Sequence, residues 1–343
     1  MEQKLLGLIK DADNILVTSH ISPDVDAVCS ALLVFNALKF NFPDKTVNLV
    51  LEELPNQDLS FLKSYDQIKY QNLADFITKE SPKLLIITDA AKLSRCSRND
   101  GDRAKQLVGE KGIKTAVIDH HEPNDKDQTD VYINNGYPAA AQEVYHILFD
   151  KLGLNKPEGY ADTTLLGILS DTMRFKYANP KHRETFALVS DLIDAGANIE
   201  GLESRIEAYT ANQLSVLGHM ISNFEQSSGY NYSYINDEFA QEWRSSDKGL
   251  DDYANGIDLF KNQFVRYIAP NSWGFVVTPE LLPNERNYSV SLRSLGDEKD
   301  VSTIAGRLGG GGHKPAAAAK FHADSIEDAL SKVIDAVENT TVS

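Results

Sequence analysis

Short apolar runs that stop on acids or imidazoles organise the first half of this chain. Residues 14–18, 46–51, 84–88 and 114–118 are rich in Val, Ile and Leu and have the length of buried strands. The segments around them space their apolar residues as helices do. That spacing predicts helices over residues 27–40, 58–64, 71–79, 139–152, 160–170 and 182–195, and an amphipathic helix over 1–13 on Leu5, Leu6, Leu8 and Ile9. Strand and helix in alternation predict an α/β fold, a parallel sheet of about five strands with helices on both faces. From 196 to 228 the pattern turns polar and helix-favouring. After Gly229 it changes again, to tyrosine-rich alternation (YNYSYI, WGFVVT, NYSVSLRS) with helices near 251–264, 301–307 and 325–338. The expected organisation is a first domain over 1–195, a helical connector over 196–228 and a smaller mixed α/β domain over 229–343.

Composition narrows the picture in three ways. The 343 residues are too many for one average core, which supports two domains. The longest early apolar stretch, Ala27 to Phe35, is too short to span a bilayer, and the N-terminus lacks the order of a signal peptide, so no membrane is expected. Cys29 and Cys96 are too few and too far apart for a disulfide framework, so a cytoplasmic location is expected. The net charge of −16 disfavours long duplex nucleic acid and points to small phosphorylated ligands.

The candidate chemistry lies where the apolar runs end. Val117-Ile118 leads into Asp119-His120-His121, and residues 83–88 end on Asp89. The first run leads into His20-Ile21-Ser22-Pro23-Asp24-Val25-Asp26, and Gly167 to Ser170 precedes Asp171. In open parallel sheets ligands bind beyond the carboxyl ends of strands, so these four segments are expected to converge. Carboxylates mixed with imidazoles suit Mn(II), Mg(II) or Zn(II), and two such ions sharing a carboxylate form a phosphoryl-hydrolysis centre. Taken singly each motif has a plainer reading. Asp24, Asp26 and Asp89 could cap helices, and Asp119-His120-His121 could be a satisfied polar turn. Their joint occurrence favours a site.

HxxPDxDA, a strand ending in Asp, VIDHH and GxxxDT, in this order, resemble the DHH phosphoesterase superfamily. Ser291-Leu292-Arg293-Ser294 and Gly309-Gly310-Gly311-Gly312-His313 resemble its DHH-associated C-terminal domain. With little room for further domains, the chain is most similar to the nano-RNase (oligoribonuclease)/pAp phosphatase group. The resemblance implies that His20 and Asp24 hold one metal, that Asp26, His120 and Asp171 hold another, and that Asp89 bridges them. Asp119 would be a ligand or would orient an imidazole. His121 would face the substrate, stabilising phosphoryl charge or donating a proton. The implied cofactors are two divalent ions, manganese first, with magnesium or cobalt as alternatives. They would activate a water for 3′–5′ oligoribonuclease or pAp phosphatase chemistry. Arg293, Gly310, Gly311, Gly312 and His313 would bind substrate phosphate, in a cleft between the domains that measures substrate length. Expected partners are short single-stranded RNA or DNA oligonucleotides or small nucleotides such as pApA and pAp, with a homodimer left open. Two alternatives remain at this point: a cyclic-di-AMP phosphodiesterase and a non-catalytic nucleotide-binding sensor. The tyrosines at 230, 232 and 234 read as alternating strand positions before a base-stacking platform.

Overall fold

The structure is a computed structural model that describes residues 1–121, 127–176, 179–206, 209–281, 287–296 and 298–340. The chain divides into two compact units, Met1–Ala208 and Tyr209–Ser343. Residues 207 and 208 of the expected connector lie outside the described residues.

In the first unit the elements run α1 (Glu2–Asp11), β1 (Asn14–Thr18), α2 (Val25–Asn41), β2 (Thr46–Leu51), β3 (Lys69–Tyr70), α3 (Leu73–Glu80), β4 (Leu84–Thr88), α4 (Gly101–Glu110), β5 (Lys114–Ile118), β6 (Val131–Ile133), α5 (Ala140–Tyr145), α6 (Tyr160–Asp171), α7 (His182–Asp194) and α8 (Ile199–Ile206). The six strands form a parallel sheet in the order β3-β2-β1-β4-β5-β6. The reason is visible in the strands themselves. In β1, Ile15 and Val17 join the larger core with α1, α2, α5 and α6, while Leu16 joins the opposite core with α3 and α4. Strands buried on both faces read as unbroken apolar runs.

Four local features depart from the pattern. The helix expected over 58–64 is a series of turns. Asp58 Oδ1 accepts from Ser60 N at 2.9 Å and Ser64 adopts φ +64°, so local side-chain bonding replaces the helical ladder. The helix expected over 139–152 splits into α5 and a π-helical turn over His146–Lys151. Two strands, β3 and β6, are two and three residues long, too short for periodicity to reveal. Helix α4 also escaped the pattern, because little of it is buried beyond Gly101 and Ala104.

The second unit runs α9 (Ala211–Ser222), β7 (Glu225–Ser227), β8 (Tyr230–Tyr234), α10 (Asp237–Arg244), α11 (Leu250–Gln263), β9 (Trp273–Pro279), β10 (Asn287–Ser294), α12 (Val301–Arg307), β11 (Gly311–His313), β12 (Ala316–His322) and α13 (Ile326–Glu338). Its sheet has the order β11-β12-β10-β9-β8-β7 and is antiparallel except between β8 and β9. Val290 and Leu292 of β10 pack with α12 and α13, whereas Val276 of β9 packs with α9, α10 and α11. Tyr230 and Tyr232 stack on Phe275, the strand role expected of them. Among the described residues no helix is long and apolar enough to cross a membrane.

Gly274 sits where β9 approaches β8 most closely: a Cβ there would lie 2.3 Å from Asn231 O and 2.8 Å from Val265 Cγ2. Gly274→Ala is expected to destabilise the second unit by about 1–3 kcal/mol, read as a lower denaturant midpoint. An unchanged midpoint would contradict this packing.

Candidate metal centre at the carboxyl ends of β1, β4 and β5

Strand order reverses between β1 and β4, which makes the loops beyond these two strands the natural ligand site of the sheet. His20 follows β1, Asp89 follows β4, and Asp119-His120-His121 follow β5. Asp24 and Asp26 lie at the start of α2, and Asp171 is the last residue of α6. Donor atoms from these segments form three groups, each with all atoms within 4.8 Å of one another: His20–Asp24–Asp89, Asp26–His120–Asp171 and Asp89–His120–His121.

Asp89 joins the groups. Its side chain is 2% exposed, its Oδ2 lies 3.4 Å from His20 Nε2 and its Oδ1 lies 3.2 Å from His120 Nε2. The residue has φ +57°, a left-handed conformation that swings the carboxylate back over the strand end instead of into a helix. His120 Nε2 also lies 3.4 Å from Asp171 Oδ2. Neither Asp89 Oδ1 nor His120 Nε2 has an aligned hydrogen bond among the described residues, although both are buried. Buried polar atoms without partners are costly, and here the two face each other at 3.2 Å, held by a proton or replaceable by a cation that both could ligate. The residues present therefore fit a divalent cation.

Hydrogen bonds to the remaining atoms set these orientations. His20 Nδ1 is 2.7 Å from Ile21 O, so its N–H is used there and the Nε2 lone pair faces Asp24 and Asp89. Asp24 serves two purposes: Oδ1 caps α2 by accepting from Ala27 N at 2.9 Å, and Oδ2 lies 4.0 Å from His20 Nε2. Asp26 is fully buried and accepts from the α5 amides of Ala140 at 2.5 Å and Ala141 at 3.0 Å. Asp119 belongs to none of the three groups. Its Oδ1 accepts from His120 N, His121 N and His121 Nδ1, and its Oδ2 from the Tyr132 hydroxyl at 3.4 Å. It is both the satisfied polar turn and the residue that orients His121. With Nδ1 so held, the His121 ring is half-exposed.

The electrostatics follow from four acids in a small volume. Burial lowers the affinity of His20 for a proton, but Asp89 and Asp24 outweigh it and raise the pKa to about 8. At His120 burial is again outweighed, by Asp89, Asp26 and Asp171, and the value rises to about 10. Asp171 is raised to about 6, by burial and by Asp89 and Asp24, and Asp26 is raised well above the carboxylate range by burial and then by Asp89 and Asp171. Asp89 goes the other way: burial opposes ionisation, yet His120 and His20 hold it at about 2. The His121 ring is raised by its bond to Asp119.

The remaining predicted residues lie in the second unit. Arg293 on β10 pairs with Ala316 on β12, which pairs with His313 on β11, so the three occupy one row across the sheet and leave the same face. Arg293 donates to Leu292 O at 3.0 Å and approaches Asn262 Oδ1 at 3.4 Å. The glycines divide. A Cβ on Gly310 would lie 2.1 Å from Ala318 O and one on Gly312 2.6 Å from Ala316 O, whereas one on Gly311 would meet nothing within 4 Å. Close packing on β12 thus explains Gly310 and Gly312, and Gly311 is the open position.

Sequence reading missed the supports. Gly167 was legible only as a motif position, and its role is spatial: its Cβ would fall 2.5 Å from Asp26 Oδ1 and 2.6 Å from Ala141 Cβ. Glu53 and Arg98 are others, hydrogen-bonded to Ser22 in the loop between His20 and Asp24. The acidic pair just beyond β2 (Glu52-Glu53) was the one available signal for Glu53.

Comparison with known proteins now places the chain. A family model described as "DHH family, N-terminal domain" matches residues 14–168, and one described as "DHHA1 domain" matches residues 277–339. The chain thus carries a DHH N-terminal domain and a DHHA1 domain. A relative in Thermus thermophilus, "Bifunctional oligoribonuclease and PAP phosphatase NrnA", is 27% identical over 94% of this chain and 89% of its own. The protein of that name in Bacillus subtilis is 23% identical over 94% of each chain. A "Cyclic-di-AMP phosphodiesterase PdeA" from Listeria monocytogenes is 25% identical over 98% of this chain but only 49% of its own. The crystal structure of an exopolyphosphatase-related protein from Bacteroides fragilis shares the fold, with a TM-score of 0.80 at 20% identity over 98% of this chain and 95% of that one. DHH phosphoesterases are metal-dependent, in keeping with the donor groups of the first unit.

Two outcomes are expected. A cation at these donor groups would take up the Nε2 lone pairs of His20 and His120, and both rings hold their protons more tightly than free imidazole. Metal affinity should therefore rise with pH, by at least about tenfold per unit below pH 8, with proton release measurable by calorimetry in buffers of different ionisation enthalpy. A flat profile would contradict the ligand set. Gly167→Ala should displace Asp26 and lower Mn(II) affinity by about tenfold or more, where a purely structural glycine would change only the melting temperature.

Proposed function

We propose that this chain is a metal-dependent phosphoesterase that hydrolyses short oligonucleotides, pApA-type dinucleotides and pAp to nucleoside monophosphates. The observation that carries the reading is the Asp89 carboxylate, with one oxygen toward His20 and the other toward His120. Such a carboxylate is suited to bridge two ions, one held by His20 and Asp24 and the other by Asp26, His120 and Asp171. Manganese suits this mixed carboxylate–imidazole set, with magnesium or cobalt as substitutes. Bound divalent ions supply Lewis acidity, lowering the pKa of a water molecule and neutralising phosphoryl oxygens. The protein's own part is to hold that charge in place. Asp119 fixes the His121 ring so that Nε2 donates to a phosphoryl oxygen or passes a proton to the leaving oxygen. In the second unit Arg293, His313 and the open backbone at Gly311 bind substrate phosphate, Arg293 as a fork. Gly310 and Gly312 keep the strand close enough to β12 to present that edge.

The relatives named oligoribonuclease and PAP phosphatase support this substrate class, since the similarity spans most of both chains. The cyclic-di-AMP phosphodiesterase supports its own activity less well, because this chain spans only 49% of it.

Steady-state hydrolysis in Mn(II) of pAp, pApA, a pentaribonucleotide, a long RNA and cyclic-di-AMP tests the reading. Turnover should be fastest on pApA and the pentamer and fall by about 10³-fold or more in Asp89→Ala. Rates that climb with RNA length would sink the short-substrate reading. Preference for cyclic-di-AMP would reassign the substrate, and binding without turnover would leave a sensor.

A further inference from the structure

The loop from His20 to Asp24 is held by residues outside every donor group. Ser22, between the two, adopts φ +49°, a conformation that a non-glycine residue keeps only when its surroundings enforce it. Glu53, just beyond β2, supplies the enforcement: its Oε2 accepts from Ser22 N at 2.8 Å and from Ser22 Oγ at 3.0 Å. Arg98, in the segment that follows Asp89, grips the same carboxylate, with Nε on Oε1 and Nη2 on Oε2 at 2.9 Å, and Nη2 also donates to Ser22 Oγ at 3.1 Å. The backbone adds Ile21 N to Arg95 O at 2.8 Å, and Glu52 Oε2 accepts from Arg98 N at 3.1 Å. Both oxygens of Glu53 are thereby engaged, so it is a brace and not a further ligand.

We infer that Glu53 and Arg98 are positioning residues that tie the His20–Asp24 loop to the segment after Asp89 and so set the geometry of the His20–Asp24–Asp89 group. The inference rests on the metal reading of that group. Partly exposed ion pairs contribute little to stability, so the effect belongs to metal affinity and not to folding. It falls on the His20–Asp24 side of the shared Asp89. Asp26 and Asp171 are anchored elsewhere, on the α5 amides and at the end of α6.

The test is Mn(II) titration of the full chain, following free ion by electron paramagnetic resonance. Asp171→Asn disables the Asp26–His120–Asp171 group and Asp24→Asn the His20–Asp24–Asp89 group. In the Asp171→Asn background Glu53→Gln should weaken Mn(II) about tenfold or more, Arg98→Met comparably and Arg98→Lys less. In the Asp24→Asn background Glu53→Gln should change affinity by less than about threefold. The melting temperature in chelator should stay within about 2 °C throughout. Equal losses in both backgrounds, unchanged affinity in the first, or lost hydrolysis with Mn(II) binding intact would each overturn the inference. A wild-type chain that binds no Mn(II) would remove the metal reading itself, and that failure shows before any variant is made.

Discussion

Four carboxylates meet at the carboxyl ends of β1, β4 and β5, and the rest of the first unit can be understood as the means of keeping them there. Asp89 is buried between two imidazoles, Asp26 is buried on two backbone amides, and Asp24 and Asp171 stand at helix ends. Like charges at this density repel strongly once water is excluded. The protein answers with protons on His20 and His120 and with oriented amides, and a divalent cation would answer better than either. The doubly covered sheet gives the rigidity that the arrangement demands, since its strands are buried on both faces and cannot shift independently.

Much of this was legible in the sequence for a physical reason. A parallel strand buried on both faces must be apolar throughout, so its end is abrupt, and a polar residue just beyond is conspicuous. His20, Asp89 and Asp119-His120-His121 are all of this kind. Helices α7, α11, α12 and α13 were legible because their buried residues recur with helical period, and α2 and α6, buried nearly all round, because their apolar runs are too long for strands. What stayed hidden has equally plain causes. Strands of two or three residues carry no period, and the turns at 58–64 are set by side-chain hydrogen bonds that periodicity ignores. The supports of the centre lie far away in sequence: Ala140 and Ala141 donate through their backbone, which any residue type could do, and Gly167 contributes only the space it leaves.

The glycine run of the second unit shows how one motif can carry two meanings. Its spacing invited a phosphate cradle, and the packing gives Gly310 and Gly312 a reason of another kind, the close approach of β11 to β12. The two meanings are compatible. A strand edge pressed against its neighbour is rigid, and rigidity is what a backbone contact with a ligand needs. The same row places Arg293 and His313 on either side of Ala316, whose methyl group leaves the space between them open.

Gly167 lies one turn before Asp171 on α6 and presses against Asp26 on α2. Those two acids are thus spaced by the contact of two helices, while His20 and Asp24 are spaced by a surface loop. The halves of the centre consequently answer to different parts of the protein. A change of side-chain volume deep between α2 and α6 would travel along the helices to Asp26 and Asp171 together. A change at the solvent-facing rim would reach only His20 and Asp24. Sequence drift in the interior and on the surface would therefore act on the two halves in different measure, with Asp89 and the α2 cap Asp24 as the points where they meet.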